Sequence, residues 1–196
     1  MWLQPTMTQA QAPVVVSSEE WAAGLLGEGK VTAVVKAVAE RGLCVVENII
    51  PDEVLDHLAA RLDYDAAHQV ASKHKFEERG VFGHGHLQLG LPRCAPWVKP
   101  EIVANPILEQ LAVAILGPCF LGFYNGNTNT PDSTHPQPMH SDGDWVWKTA
   151  EEAASAGRPW PFRPTGIICN FGVDDITEAD GTEVATPLTP EHPPAC

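Results

Sequence analysis

Two side chains in the middle of the chain carry the most specific chemistry, His140 and Asp142 in Gln137-Pro138-Met139-His140-Ser141-Asp142. On an extended segment, residues i and i+2 point to one side, so this imidazole and this carboxylate face the same way. One imidazole beside one carboxylate is two-thirds of the facial triad that holds non-haem Fe(II) and leaves three coordination positions open. His-x-Asp also fits an ordinary surface turn, and the spacing alone does not choose between them. His84 and His86 alternate in Gly83-His84-Gly85-His86 like a second ligand pair. Glycine on both sides of His84 makes a poor rigid metal site, which favours a substrate-facing or surface loop. Trp145 and Trp147 flank the His-x-Asp pair as core residues or as a lid. Arg79 and Arg93 have the planar fork that suits a carboxylate, but nothing selects them over solvated surface arginines.

These groups need a frame, and the sequence supplies a helical half followed by a strand half. Ser17 and Ser18 before Glu19, Glu20 and Trp21 read as a helix N-cap with acids in the first turn. Val31, Val34, Val35 and Val38 predict a helix over 29–41 that stops at Gly42. Leu43 to Glu47 reads as a short strand. Pro51-Asp52-Glu53 opens a longer helix with an apolar face of Val54, Leu55, Leu58 and Leu62, running into the low seventies. Asn105-Pro106 starts another, with Ile107, Leu108, Leu111, Ala114 and Ile115 on one face and Gly117-Pro118 after it. Residues 73–100 read as loop with short strands. Segments 119–124 and 163–171 read as strands, Val184 as a weaker one, and 148–159 as a small helical insertion. His57, His68 and His74, on or just past the long helix, read as solvated, and His135 as loop. Residues 1–16 read as a loose arm. Helices first and strands after imply an α+β fold with helices packed outside a β core.

Composition limits the functions open to such a frame. The 196 residues fit one domain, and 44% hydrophobic content excludes wholesale disorder. A formal net charge of −13 argues against a nucleic-acid partner, since phosphate recognition needs a basic footprint. No apolar run is long enough to span a membrane, and no Lys or Arg precedes Ser17 as a secretory leader requires. The five cysteines form no CxxC pair. Settings such as Leu43-Cys44-Val45 and Ile168-Cys169 predict buried free thiols in a reducing compartment, with the cytosol as the expected location.

Several segments in order resemble one family. Arg41-Gly42-Leu43-Cys44-Val45-Val46-Glu47-Asn48 is followed by Ile50-Pro51-Asp52-Glu53. Tyr124-Asn125-Gly126-Asn127-Thr128 leads to His140-x-Asp142, and Asp175-x-Thr177-Glu178-x-x-Gly181-Thr182 comes later. From about residue 40 to about residue 184, this set resembles the phytanoyl-CoA dioxygenase family of Fe(II)/2-oxoglutarate-dependent oxygenases. The resemblance implies a double-stranded β-helix, a jelly-roll or cupin-like barrel, with flanking N-terminal helices. It divides the chain into the arm 1–16 and one dioxygenase-like domain over 17–196. Within that domain, 17–117 is helical, 118–187 is barrel and 188–196 is an irregular tail. It implies Fe(2+) on His140 and Asp142, with 2-oxoglutarate and O2 as co-substrates and hydroxylation of a small organic molecule as the usual outcome. Asn125 and Asn170 lie where family members often place side chains against the co-substrate, and Gln137 is a third candidate. Each of these amides equally fits a satisfied barrel position.

The same resemblance implies a distal His on a late strand and an Arg about ten residues beyond it. After Asp142 the sequence has a single His, His192, ahead of Pro193-Pro194, and after Arg163 it has no Lys or Arg. Proline removes ladder donors, so His192 does not sit on a barrel strand. The expectation is a barrel truncated or diverged at its C-terminal end. The alternatives are His192 as a substitute ligand, a non-catalytic binding module on a degraded jelly roll, and a different metal site using His84 or His86.

Overall fold

The computed structural model describes residues 12–71, 86–89, 94–129, 149–155, 157 and 166–174. Strand β1 (Val14–Val15) pairs in parallel with β2 (Val46–Glu47), Val14 opposite Val46 and Val15 opposite Glu47. The Val14 N–H donates to Val45 O at 3.0 Å, and the Val16 N–H to Glu47 O at 3.0 Å. Parallel neighbours cannot be joined by a tight turn. The connection here is a pair of helices, α1 (Ser18–Ala23) and α2 (Glu28–Arg41). The arm expected over 1–16 therefore gives way to structure before its end. Val14 and Val16 are buried, and Val15 between them is open, the alternation of a half-covered strand. Its partner lies some thirty residues on, beyond what local pattern can register. The strand expected over Leu43–Glu47 is regular only at Val46–Glu47.

The start of α1 is closed by a reciprocal pair. The Glu20 N–H donates to Ser17 Oγ at 3.2 Å, and the Ser17 N–H donates to Glu20 Oε2 at 2.9 Å. Glu20 also accepts the Gly27 N–H at 3.0 Å and forms an ion pair with Lys30, so one carboxylate ties α1 to the start of α2. Gly24, left-handed at φ 62°, ends α1 against α5; a Cβ there would lie 2.7 Å from Pro106 Cγ.

Lys30 first, then the Ser17 and Gly27 amides, hold the Glu20 carboxyl down from 4.5 to about 2. A depressed carboxyl stabilises fully above its unfolded pKa, and that contribution is lost as pH falls toward the folded value. Wild-type urea midpoints should therefore drop between pH 4.5 and 2 more steeply than those of Glu20→Gln. Parallel curves for the two proteins would remove the carboxylate from the account.

Helix α3 (Asp52–Ala71), α4 (Pro100–Val103) and α5 (Pro106–Leu116) complete the helical half, and α2 packs on α5. Val34 of α2, Val54, Leu58 and Leu62 of α3, Ile102 of α4, and Ile107 and Leu111 of α5 meet Val14, Val16, Leu26, Ile49 and Ile50 in one buried cluster. Each such aliphatic side chain contributes about 1.5–3 kcal/mol on burial. Two polar joints fix the packing. Gln110 accepts the Leu26 N–H at 2.9 Å and donates to Leu26 O at 3.1 Å. Asn105 caps α5 and reaches Ile49 O at 3.1 Å. Ala114, expected on the apolar face of α5, is exposed, because the buried stripe runs through 107, 111 and 115 and leaves 114 on its rim.

The second strand pair is antiparallel, β3 (His86–Leu89) against β4 (Gly126–Asn129), with His86 opposite Asn129 and Leu89 opposite Gly126. Helix α3 lies beside both strands. The segment expected as a strand over 119–124 is irregular, and regular pairing starts at Gly126. Residues 166–171, within the strand expected over 163–171, have no regular pairing either. Val184 lies outside the described residues. Helix α6 (Ala150–Ser155) falls inside the expected helical insertion. Among the described residues, no helix is long and apolar enough to cross a membrane.

Candidate functional site

Of the five residues expected at the site, Asn125 and Asn170 are described. Gln137, His140 and Asp142 lie outside the described residues, as do His84, His135, His192, Arg79, Arg93, Trp145 and Trp147. Asn125 and Asn170 are both exposed. Each is next to a core-facing aromatic. Tyr124 and Phe171 pack against the central apolar cluster, and so does Val173. With the aromatic rings packed against the core, the two exposed amides lie on the outside of their segments. Before Tyr124, Phe120, Leu121 and Phe123 are exposed at 90%, 60% and 65%.

Tyr124 is held from a second direction. Its Oη donates to Trp97 O at 3.2 Å. Partial burial pushes the phenol above its usual range, so the hydroxyl keeps its proton and stays a donor at neutral pH. Trp97 is in turn clamped by α3. The His57 ring stacks on it with centroids 4.7 Å apart and planes 23° apart, and the Arg61 guanidinium lies 4.9 Å from its centroid. Arg61 is aimed by Asp65, whose carboxylate accepts from Nε at 2.7 Å, and it also sits 5.6 Å from the Tyr64 ring. Tyr64 and His68 continue the row, with ring centroids 4.0 Å apart, and His68 Nδ1 lies 2.9 Å from Tyr64 O.

Helix α3 thus has two stripes. Val54, Leu58 and Leu62 face the core, while His57, Arg61, Tyr64, Asp65 and His68 recur at three- and four-residue spacing beside it. His57 was expected to be solvated; it is half-buried because Trp97 covers its ring. The signal was present as that second periodic stripe, but its partner, Trp97, is about forty residues away in the sequence.

The thiols differ from expectation too. Cys44 is half-buried, and burial pushes its thiol up, whereas Cys94, Cys119 and Cys169 are exposed. Cys169 loses the cover expected for it because the Ile167–Asn170 stretch is not enclosed between paired strands. Among the described residues, no three His, Cys, Asp or Glu side chains lie close enough together to hold a metal ion.

No family model matches the chain. No solved structure matches it either.

Proposed function

We propose that the chain is an Fe(II)- and 2-oxoglutarate-dependent dioxygenase that hydroxylates a small organic molecule such as a lipid or a secondary metabolite. The observation that carries this reading is the ordered set from Arg41-Gly42 through His140-x-Asp142 to Gly181-Thr182. Bound Fe(II) and 2-oxoglutarate would supply O2 activation, with the co-substrate oxidised to succinate and CO2. His140 and Asp142 would hold the metal, and one nitrogen with one oxygen donor suits it. They are one donor short of a triad. Asn125 and Asn170 would be polar contacts to the co-substrate, each next to an aromatic packed against the same core.

A second reading, a non-catalytic binding module, is favoured by the absence of any Lys or Arg among residues 164–196 to pair with the far carboxylate of 2-oxoglutarate. One experiment separates the two. Folded protein is titrated anaerobically with Fe(II) and 2-oxoglutarate, and then exposed to O2. The oxygenase reading expects a weak visible charge-transfer band and succinate release. Neither signal from folded protein leaves the binding module.

A further inference from the structure

The Trp97 stack and the Tyr124 hydroxyl lie in one unbroken line from α3 to β4. His57 and Arg61, one helical turn apart, fix the Trp97 ring, and the Trp97 carbonyl accepts from Tyr124. Tyr124 is followed by Asn125 and then, without any intervening residue, by β4. The hydroxyl is a directional tether at the mouth of a strand whose only described ladder partner is the four-residue β3. So short a pair is marginal by itself. Its entry point must be set by something outside the ladder, and α3, a twenty-residue helix seated on the main core, is the rigid body available.

We propose that Tyr124 is a positioning residue, and that Trp97, clamped by His57 and Arg61, is the fixed point from which Asn125 and β4 are placed. Core burial of the Tyr124 ring alone would hold its depth but not its rotation or its slide along the segment. A hydrogen bond to a clamped carbonyl sets both. The bearing on 2-oxoglutarate rests on the oxygenase reading, since it takes Asn125 as a co-substrate contact; the placement of β4 does not depend on it.

The test uses the full chain and amide NMR. Tyr124→Phe removes only the hydroxyl. It should raise the exchange rates of the 126–129 amides about fivefold, the loss expected for one net hydrogen bond, and leave those of Val14 to Val16 and Val46 unchanged. Arg61→Gln should shift the 126–129 resonances in the wild-type background. Because α3 also lies beside β4, the decisive comparison is the same substitution in the Tyr124→Phe background, where those shifts should largely vanish. Unchanged β4 exchange in Tyr124→Phe overturns the proposal. So does an equal rise in both sheets, which marks a general packing contact, or an Arg61→Gln shift that survives without the hydroxyl. In parallel, Tyr124→Phe should weaken the apparent 2-oxoglutarate affinity several-fold in the Fe(II) titration. A wild-type protein with no 2-oxoglutarate signal would end the oxygenase reading while the amide data still decide the tether.

Discussion

On the proposed oxygenase reading, His140→Ala should eliminate both the visible band expected with Fe(II) and 2-oxoglutarate and the succinate expected in O2. The expected loss is total, and the reason is arithmetic at the metal. That reading names one imidazole and one carboxylate at i, i+2 as metal ligands, so removing the imidazole leaves only the carboxylate of the pair. A lone carboxylate on a chain carrying a net charge of −13 has nothing to distinguish it from the 24 other acidic side chains, and Fe(II) would disperse among them. Asp142→Ala should fail in the same way, whereas Lys36→Gln, which removes only an exposed pair with Glu40, should leave both signals intact. Turnover retained by His140→Ala would rule out its place on the metal. Product formation that survives exhaustive chelation would rule out a metal reaction altogether.

The helical half was open to reading because its signals are local. Ser17 with Glu20, Gly42 after Arg41, and Asn105-Pro106 are caps, and each helix starts or stops within a residue or so of where those caps place it. The periodic stripe Val54, Leu58, Leu62 likewise states which side of α3 is buried. Strand pairing is not local. Val14-Val15-Val16 reads as part of a loose arm until Val46 is known to lie beside it, and a two-residue strand leaves no alternation long enough to recognise. The strand expected at 119–124 was read from its apolar content, but apolar content marks burial rather than pairing, and the pairing observed belongs to the polar run Gly126-Asn127-Thr128-Asn129. Of the candidate site, the sequence named the amides but not what holds them. Tyr124 and Phe171 orient Asn125 and Asn170, and the clamp on Trp97 joins residues from three separate segments.

Asn105→Ala should destabilise the protein by roughly 3 kcal/mol, one part from the lost cap and a larger part from buried groups left unpaired. Asn105 is the buried polar residue among the described residues, 6% exposed, and it uses both ends of its amide. Oδ1 accepts the Ile107 and Leu108 N–H groups at 3.0 and 3.1 Å, closing the start of α5. Nδ2 donates to Glu101 O at 2.8 Å and to Ile49 O at 3.1 Å. The Ile49 contact crosses 56 residues and joins α5 to the segment that leads into α3. Alanine takes the Nδ2 donor away from the Ile49 carbonyl. Serine divides the effect. Its hydroxyl can still accept from the first turn of α5 but is too short to tether Ile49, so Asn105→Ser should lose about 2 kcal/mol of the same total, the share due to the unmet carbonyl. Urea unfolding midpoints at constant slope measure both variants. Equal losses for the two would assign the whole effect to the tether, and a loss below about 0.5 kcal/mol for alanine would mean that water or a neighbouring group satisfies Ile49. The tether also bears on the site. The segment it fixes, Ile49 and Ile50, enters α3 directly, and α3 carries the His57 and Arg61 side chains that hold Trp97. Loosening Asn105 should therefore reach β4 through the same clamp, and the 126–129 amides of Asn105→Ser should exchange faster than its modest loss of global stability alone requires.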